Sequence, residues 1–239
     1  MRVVSALRAM WFGLVDPTRI QEISRASATA VFAVAVLLVS MTNTWCAMWE
    51  RGDLALAAES RILLQHSATS PVKTSQLDLS TPQRQFTGAL GGALIVTIVS
   101  TAVVSGLFLI LIRFMTNVTV TYRQCIIAAS AVSGVVIADT VLSSALHMVF
   151  HTSQAGLHAG VFLRPAESPM LFTWLQRISL FSVWQYIAIA IALVTWEGLH
   201  WRFGVVTGTI VWLITRLLFG LLTLVGWIVG LQGASSASP

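Results

Sequence analysis

The sequence predicts an all-α, multi-pass membrane protein: a bundle of five transmembrane helices preceded by a short amphipathic helix. Of the 239 residues, 56% are hydrophobic and only 10% are charged, and the mean hydropathy is +0.82. A soluble domain carries roughly 25% charged residues. Apolar runs of about 20 residues recur along the chain, each long enough to cross a hydrocarbon layer of about 30 Å as a helix. Lipid is therefore the expected solvent.

The positive charge of the chain does not indicate nucleic acid binding. The net charge is +5, but the fourteen basic residues are scattered singly rather than gathered into a patch. Thirteen of them are arginine, which with the alanine and valine content is typical of a GC-rich bacterial genome. Cys46 and Cys125 lie in or beside apolar runs without metal-binding or redox spacing, so we expect unpaired core thiols.

Residues 1–25 are predicted to form an amphipathic segment lying in the membrane interface. Val3, Leu7 and Trp11 share one side at helical spacing, while Arg8 lies on the other. The dipeptide Asp16-Pro17 then favours a new helix start, because Asp is a good N-cap and Pro suits the first helical position.

Residues 26–231 are predicted to form the transmembrane domain, and 232–239 a short polar tail. The expected spans are 26–49, 86–112, 124–150, 178–196 and 203–229. Longer polar loops at about 50–85 and 151–177 share one side, and short links at 113–123 and 197–202 share the other. The spacings Gly88-x3-Gly92 and Gly204-x3-Gly208 favour close helix packing.

The arginines before the first span set the expected orientation. The two sides carry nearly equal positive charge, seven basic residues against six by this topology. The earliest helix usually dominates, and a long outer loop counts for less. We therefore expect a cytoplasmic N-terminus and an external C-terminus, in a bacterial inner membrane.

Two opposite charges fall near the middle of predicted spans, Asp139 in the third and Arg216 in the fifth. Helical rise puts both roughly 20 Å from the inner face. An unpaired charge at this depth costs at least about 2.5 to 3.5 kcal/mol, so each should find a partner or a water-filled cavity, and the two could pair with each other. The pair either belongs to a substrate or proton path or clamps two helices together. The clamp is favoured, because one pair without a lined pore is thin support for transport.

Ser143, His147 and His151 continue from Asp139 at four-residue intervals and form a polar stripe on one helix face. Histidines at this spacing can bind a metal ion or take part in a heme site. The nearest carboxylate on the same helix, Asp139, is about 12 Å from His147 along the axis. We therefore expect packed histidines at a helix end, with no metal and no cofactor.

The inner link between the last two predicted spans is crowded with polar and aromatic residues, namely Glu197, His200, Trp201 and Arg202. Such residues are ordinary anchors at a membrane boundary, and a docking role is the alternative. Catalytic and nucleotide-binding motifs are absent from the sequence, so the chain is not expected to be an enzyme.

Four strings in the sequence carry a resemblance to a known family. They are Asp16-Pro17, the link VTVTYRQ at 118–124, the string LFSVWQ at 180–185 and the turn GLHW at 198–201. With these, the chain resembles the YIP (Ypt-interacting protein) domain family, in its bacterial form, over roughly 86–222. The resemblance implies five helices, a cytoplasmic N-terminus and a non-enzymatic role in organising membranes or membrane complexes. The longer N-terminal region through which eukaryotic members are linked to Rab GTPases has no counterpart here.

Three functional hypotheses follow. The first is an interaction, scaffold or accessory subunit that contacts membrane lipids and other membrane proteins or a second copy of itself. The second is a small-solute or ion transporter using Asp139 and Arg216. The third is a heme- or metal-binding redox subunit using the histidines.

Overall fold

The computed structural model describes residues 2–22, 28–59, 82–116, 118–164 and 167–235. Most of the predicted loop 50–85 and the end of the predicted tail 232–239 lie outside these ranges. Within them the chain is helical, and one isolated bridge pairs His158 with Ser179. The α-helices are α1 (Arg2–Val15), α2 (Ala28–Arg51), α3 (Pro82–Thr116), α4 (Tyr122–Ala131), α5 (Ser133–Phe150), α6 (Pro169–Gln176), α7 (Leu180–Trp196) and α8 (Trp201–Ser235). Short 3-10 helices cover Pro17–Glu22 and Ala159–Phe162, and 54–59 is also helical.

Four helical segments in the described ranges are long and apolar enough to cross a membrane. They are Thr29–Arg51, Phe86–Met115, Tyr122–Phe150 and Trp201–Leu218. This confirms the predicted all-helical class with several helices that could span a membrane, while the predicted number of five spans stays a prediction. Helix α7 is also apolar but shorter, with 17 residues. Its length of about 25 Å falls below the hydrocarbon thickness of about 30 Å, so length alone does not make it a span.

Helices α4 and α5 form one long segment interrupted at Val132. The segment begins with a capping box, in which Thr121 Oγ1 accepts from the Gln124 backbone N–H and the Gln124 side chain accepts from the Thr121 backbone N–H. At the interruption, the Ser133 hydroxyl donates to the Ser130 carbonyl over 2.7 Å. Side-chain bonding of this kind bends helices and frees a backbone surface for a close neighbour.

Helix α1 occupies that surface. A Cβ added at Gly13 would lie 2.3 Å from the Ala131 carbonyl oxygen, and one added at Gly134 would lie 2.8 Å from the Met10 carbonyl oxygen. The two helices therefore touch backbone to backbone, as small residues allow. Ala6 and Ala9 are buried on the same side of α1.

The other side of α1 is apolar and exposed. Val3, Leu7, Trp11 and Val15 form this side, and each is about half exposed or more. The predicted amphipathic segment is thus a helix with one small-residue face on the bundle and one bulky apolar face turned outward. Its position in the membrane interface stays a prediction.

Helix α7 lies at the centre of the bundle. Its residues from Ala188 to Val194 are buried on every side, by α8, α5, α4 and the 3-10 turn Pro17–Glu22. Its N-terminus carries a capping box between Ser179 and Ser182. Gly204 and Gly208 of α8 approach it so closely that an added Cβ at either would lie 2.5 Å from the Cα of Ile191 or Ile187, respectively. The predicted Gly204-x3-Gly208 contact is therefore formed within the chain.

Side-chain contacts give the helix directions. The Gln124 side-chain amide donates to Glu197 over 2.9 Å, and the Ser179 hydroxyl donates to Asp139 over 3.1 Å, so α7 runs antiparallel to α4 and α5. The Thr140 hydroxyl donates to the Asn43 side chain over 3.0 Å. Below, the end of the bundle that carries 197–200 is called the link end, and the end that carries 151–179 is called the loop end.

Candidate functional site

Asp139 lies where the middle of α5 meets the N-terminus of α7. One carboxylate oxygen accepts the Ser179 hydroxyl at 3.1 Å, and the other lies 3.5 Å from the Ser143 hydroxyl. Ser143 stands one turn along α5, as its spacing predicted. The carboxylate therefore joins α5 to the capped start of α7.

Arg216 lies on α8 at a comparable height. The helix rise places it about 22 Å from Trp201 and places Asp139 about 25 Å from Tyr122. The Nε atom of Arg216 is buried and has no hydrogen-bond partner in the described part of the chain. Its guanidinium makes no ion pair within 4.0 Å of Asp139, although both residues are described. The predicted direct pairing is not seen among these contacts.

The two charges instead line one cavity of about 250 Å³ between α5, α7 and α8. The polar residues that line it are Asp139, Gln176, Arg177, Ser179, Ser182, Gln185 and Arg216. Arg177 is exposed at the loop end, where the helix α6 stops. The cavity is thus lined by one carboxylate, that of Asp139, and by the guanidinium groups of Arg177 and Arg216.

His147 of the predicted polar stripe meets a carboxylate that the sequence did not place near it. Its Nδ1 atom lies 2.9 Å from Oε1 of Glu50, the penultimate residue of α2. The same oxygen accepts the Ser144 hydroxyl at 2.6 Å. His147 is buried, and Glu50 is partly exposed. The ends of α2 and α5 are therefore held together by a charge-assisted contact.

His151, the last member of the stripe, pairs with Asp53. Its Nδ1 atom contacts Oδ2 of Asp53, whose other oxygen accepts the backbone N–H groups of Ala55 and Leu56. The hydrogen bond from His151, followed by that from Leu56, holds the pKa of Asp53 below its ordinary value. Asp53 thus caps the helical residues 54–59 and fastens them to α5.

A third carboxylate, that of Glu59, makes the next contact in the same direction along the chain. Glu59 accepts the Thr152 hydroxyl and both the backbone N–H and the hydroxyl of Ser153, each at 2.7 Å. We call Glu50, Asp53 and Glu59 the carboxylate row. Its partners lie 93 to 98 residues away in the sequence, which is why single-helix periodicity did not find them.

His158 lies in a close-fitting site formed by the loop. Added Cβ atoms at Gly156 and Gly160 would come within 2.5 and 2.9 Å of its ring, and the ring meets Phe172 edge-on at 6.1 Å. Neither ring nitrogen has a hydrogen-bond partner in the described residues, although the backbone of Ser153 approaches. Burial, and then the neighbouring His147, lowers the pKa of His158.

Metal binding was an open alternative for the histidines. In the ranges that the structure describes, no three His, Cys, Asp or Glu side chains come together as a set of metal ligands. The histidines of the stripe are instead bonded to Glu50 and Asp53.

The residues predicted for the inner link, 197–202, lie at the link end. Glu197 ends α7 and accepts from Gln124, while the His200 ring lies 5.6 Å from that of Trp201. The Arg202 guanidinium lies 5.9 Å from the Trp201 ring centre, a cation–π contact. Trp201 is 47% exposed, so this cluster is a surface feature.

Comparison with known proteins assigned the chain to no family. No family model matches the chain. No curated protein and no solved structure shows significant similarity to it. What can be said of function therefore depends on the residues themselves.

Proposed function

We propose that the chain is a five-span, non-enzymatic protein of the bacterial inner membrane that acts as an interaction, scaffold or accessory subunit, in the manner of the YIP family it resembles. Helix α7, the fourth span in chain order, is the crossing that this proposal adds to the four long apolar segments. Its C-terminus bonds Gln124 at the link end, and its N-terminus bonds Asp139 toward the loop end. Because α8 starts again at the link end, α7 has to return the chain across the bilayer.

The link end faces the cytoplasm in this proposal, with the N-terminus inside and the C-terminus outside. The arginines that precede α2 support this orientation. Helix α1 then lies in the cytoplasmic leaflet with Leu7 and Trp11 against lipid. Its contact with Gly134, about 18 Å along the helix from Tyr122, favours a position deeper than the headgroups.

The interaction role is supported by one side of α3 that no other described part of the chain covers. This helix is the least buried of the four long apolar segments. Gly88, Gly91 and Gly92 meet nothing within 4 Å, and Ile95 and Val99, one and two turns on, are 65% and 55% exposed. A glycine spacing of this kind lets the backbone of another helix approach closely.

The same chain shows what such glycines do when a partner is present. Gly204 and Gly208 bring α8 into contact with the backbone of α7. By analogy, the glycine side of α3 is suited to a transmembrane helix of another subunit or a second copy. The exposed Trp201 and Arg202 at the link end form a second contact surface on the cytoplasmic side.

Site-specific photo-cross-linking in native membranes tests this role. A photoreactive residue at Ile95 or Val99 should give a discrete cross-linked species, and the change Gly92→Leu should abolish it. The matched control is the same probe at Val141, an exposed position of α5. Cross-links that are absent at Ile95 and Val99, or equal at all three positions, would remove the interaction proposal.

Transport of a small solute is the second candidate, favoured by the cavity that Asp139 and Arg216 share. In this case the cavity would open alternately to the two sides of the membrane. Flux into proteoliposomes that is lost on Asp139→Asn would support it, and equal flux with the variant would contradict it.

A further inference from the structure

The cavity near the loop end carries more positive than negative charge. Its lining has two guanidinium groups, Arg177 and Arg216, and one carboxylate, Asp139. The carboxylate already accepts hydrogen bonds from Ser143 and Ser179. One positive charge is therefore left over on the cavity wall.

Arg216 is the group whose bonding is incomplete. Its Nε atom is buried and unpartnered among the described residues. Arg216 as a whole is partly buried, and a buried guanidinium nitrogen is costly unless an anion or polar group satisfies it. Its planar fork of N–H donors matches the two oxygens of a carboxylate or phosphate.

The rest of the lining fits the same chemistry. Gln176 and Gln185 add neutral amides that can donate hydrogen bonds, and Arg177 adds an exposed charge at the mouth. Ligand pockets for drug-sized molecules measure about 300–1,000 Å³. A cavity of about 250 Å³ is therefore suited to a small ligand or to one headgroup.

We infer that this cavity binds an oxyanion, a carboxylate or phosphate group, with Arg216 as its bidentate partner and Arg177 at the entrance. The ligand is either a small soluble anion from the outer side or the headgroup phosphate of an anionic lipid. This inference is independent of the partner helix proposed for α3.

Binding to the full-length protein in nanodiscs distinguishes the two sources. In the first arm, phosphatidylcholine nanodiscs are titrated calorimetrically with inorganic phosphate and with succinate. In the second, the bound lipid is counted by native mass spectrometry after reconstitution with phosphatidylglycerol. Saturable binding in the first arm identifies a soluble anion, and retained phosphatidylglycerol in the second identifies a lipid headgroup.

The arginine variants test whether the anion or the lipid headgroup binds in this cavity. Arg216→Gln should weaken binding at least tenfold, and Arg177→Gln several-fold. Arg164→Gln, which removes an exposed charge of the same loop, should leave it unchanged. Because Arg177 is exposed, its variant keeps the test decisive if Arg216→Gln does not fold. Absence of binding in both arms, or equal binding by the wild type and both cavity variants, would overturn the inference.

Discussion

Nδ1 of His147 lies 2.9 Å from Oε1 of Glu50, a contact between residues 97 positions apart that joins the ends of α5 and α2. The contacts of Asp53 with His151 and of Glu59 with Ser153 extend it in the same direction along both segments. Two segments bonded in this order run parallel. The carboxylate row therefore fixes the register between the first and third long apolar segments.

Removing the first member of the row should destabilise the fold. Glu50→Ala leaves the buried His147 and the Ser144 hydroxyl without their acceptor, at a cost of about 2 kcal/mol. The midpoint of thermal unfolding in detergent, followed by tryptophan fluorescence, should fall by roughly 4 to 8 °C. Glu167→Ala, which breaks only an exposed ion pair with Arg164, is the control and should change the midpoint little. Equal shifts for both variants would contradict the stabilising role of the contact between Glu50 and the buried His147.

The stability of the loop should depend on pH through His158. Burial and the neighbouring His147 lower its pKa in the folded state, while Asp139 acts in the opposite direction. The unfolded chain, with an ordinary pKa of 6.5, then binds the proton more readily than the folded one. This stabilisation is present above about pH 6.5 and is lost as the pH falls through the lowered pKa.

Comparison of His158→Gln with the wild type isolates that effect. The thermal midpoint of the wild type should fall between pH 7.5 and pH 5 by more than that of the variant, because the variant has no imidazole to protonate at this site. Gln154→Ala in the same loop, which removes no ionisable group, is the control and should retain the wild-type pH dependence. A parallel pH dependence for wild type and His158→Gln would exclude His158 as the source.

Packing of α8 on α7 should tolerate no side chain at Gly208. In Gly208→Val the new Cβ would lie 2.5 Å from the Ile187 Cα, a backbone atom that cannot turn aside. Overpacking of this kind costs about 1–3 kcal/mol. Gly106→Val makes the same exchange on α3 where nothing lies within 4 Å. Size-exclusion recovery after mild heating should fall for the first variant only; similar losses for both would indicate a general effect of valine.

The attachment of α1 should depend on Trp184. Its indole N–H donates to the Leu14 carbonyl over 3.2 Å, at the C-terminal end of α1. Trp184→Phe removes that donor, worth about 1 kcal/mol, so amide exchange in the last turn of α1 should speed up about fivefold. Trp11→Phe, on the exposed side of the same helix, should leave the exchange rate unchanged. Unchanged protection after Trp184→Phe would show that the small-residue face alone holds α1.

The energetic partner of Asp139 can be identified by double-mutant cycles. Asp139 accepts the Ser179 hydroxyl directly and faces Arg216 across the cavity. The coupling free energy between Asp139→Ala and Ser179→Ala should be about 1 kcal/mol, and that between Asp139→Ala and Arg216→Gln a few tenths. A larger coupling to Arg216 would restore the direct charge pair that the sequence suggested.

The sequence predicted the helices well where a long apolar run decides the outcome. The third predicted span, 124–150, coincides with α4 and α5, but the interruption at Val132 was not predicted, although a Ser-Gly pair of the kind found at helix kinks follows it at Ser133 and Gly134. The face that α1 turns to the bundle was also missed, because Ala6, Ala9 and Gly13 are small and add little to an apolar pattern. This face is recognised by the close approach of the α1 backbone to that of α4 and α5, which the sequence of α1 alone does not show.

Part of the candidate site was predictable from the apolar runs, because a charged residue stands out within them. Asp139 and Arg216 stood out because charges are rare in apolar runs, and helical rise placed them at similar depth. The exposed Arg177, the amides and the carboxylate row have ordinary polar sequence surroundings. Their roles come from contacts between segments that lie far apart in the chain.

Helix α7 is enclosed from Ala188 to Val194 by segments that precede it and follow it in the chain. The turn Pro17–Glu22 is synthesised before it and α8 after it. During biogenesis, therefore, α7 cannot reach its final surroundings until the ribosome has delivered α8. The surroundings of α7 are completed by segments made before and after it, so a nascent chain halted before α8 would leave this central helix uncovered.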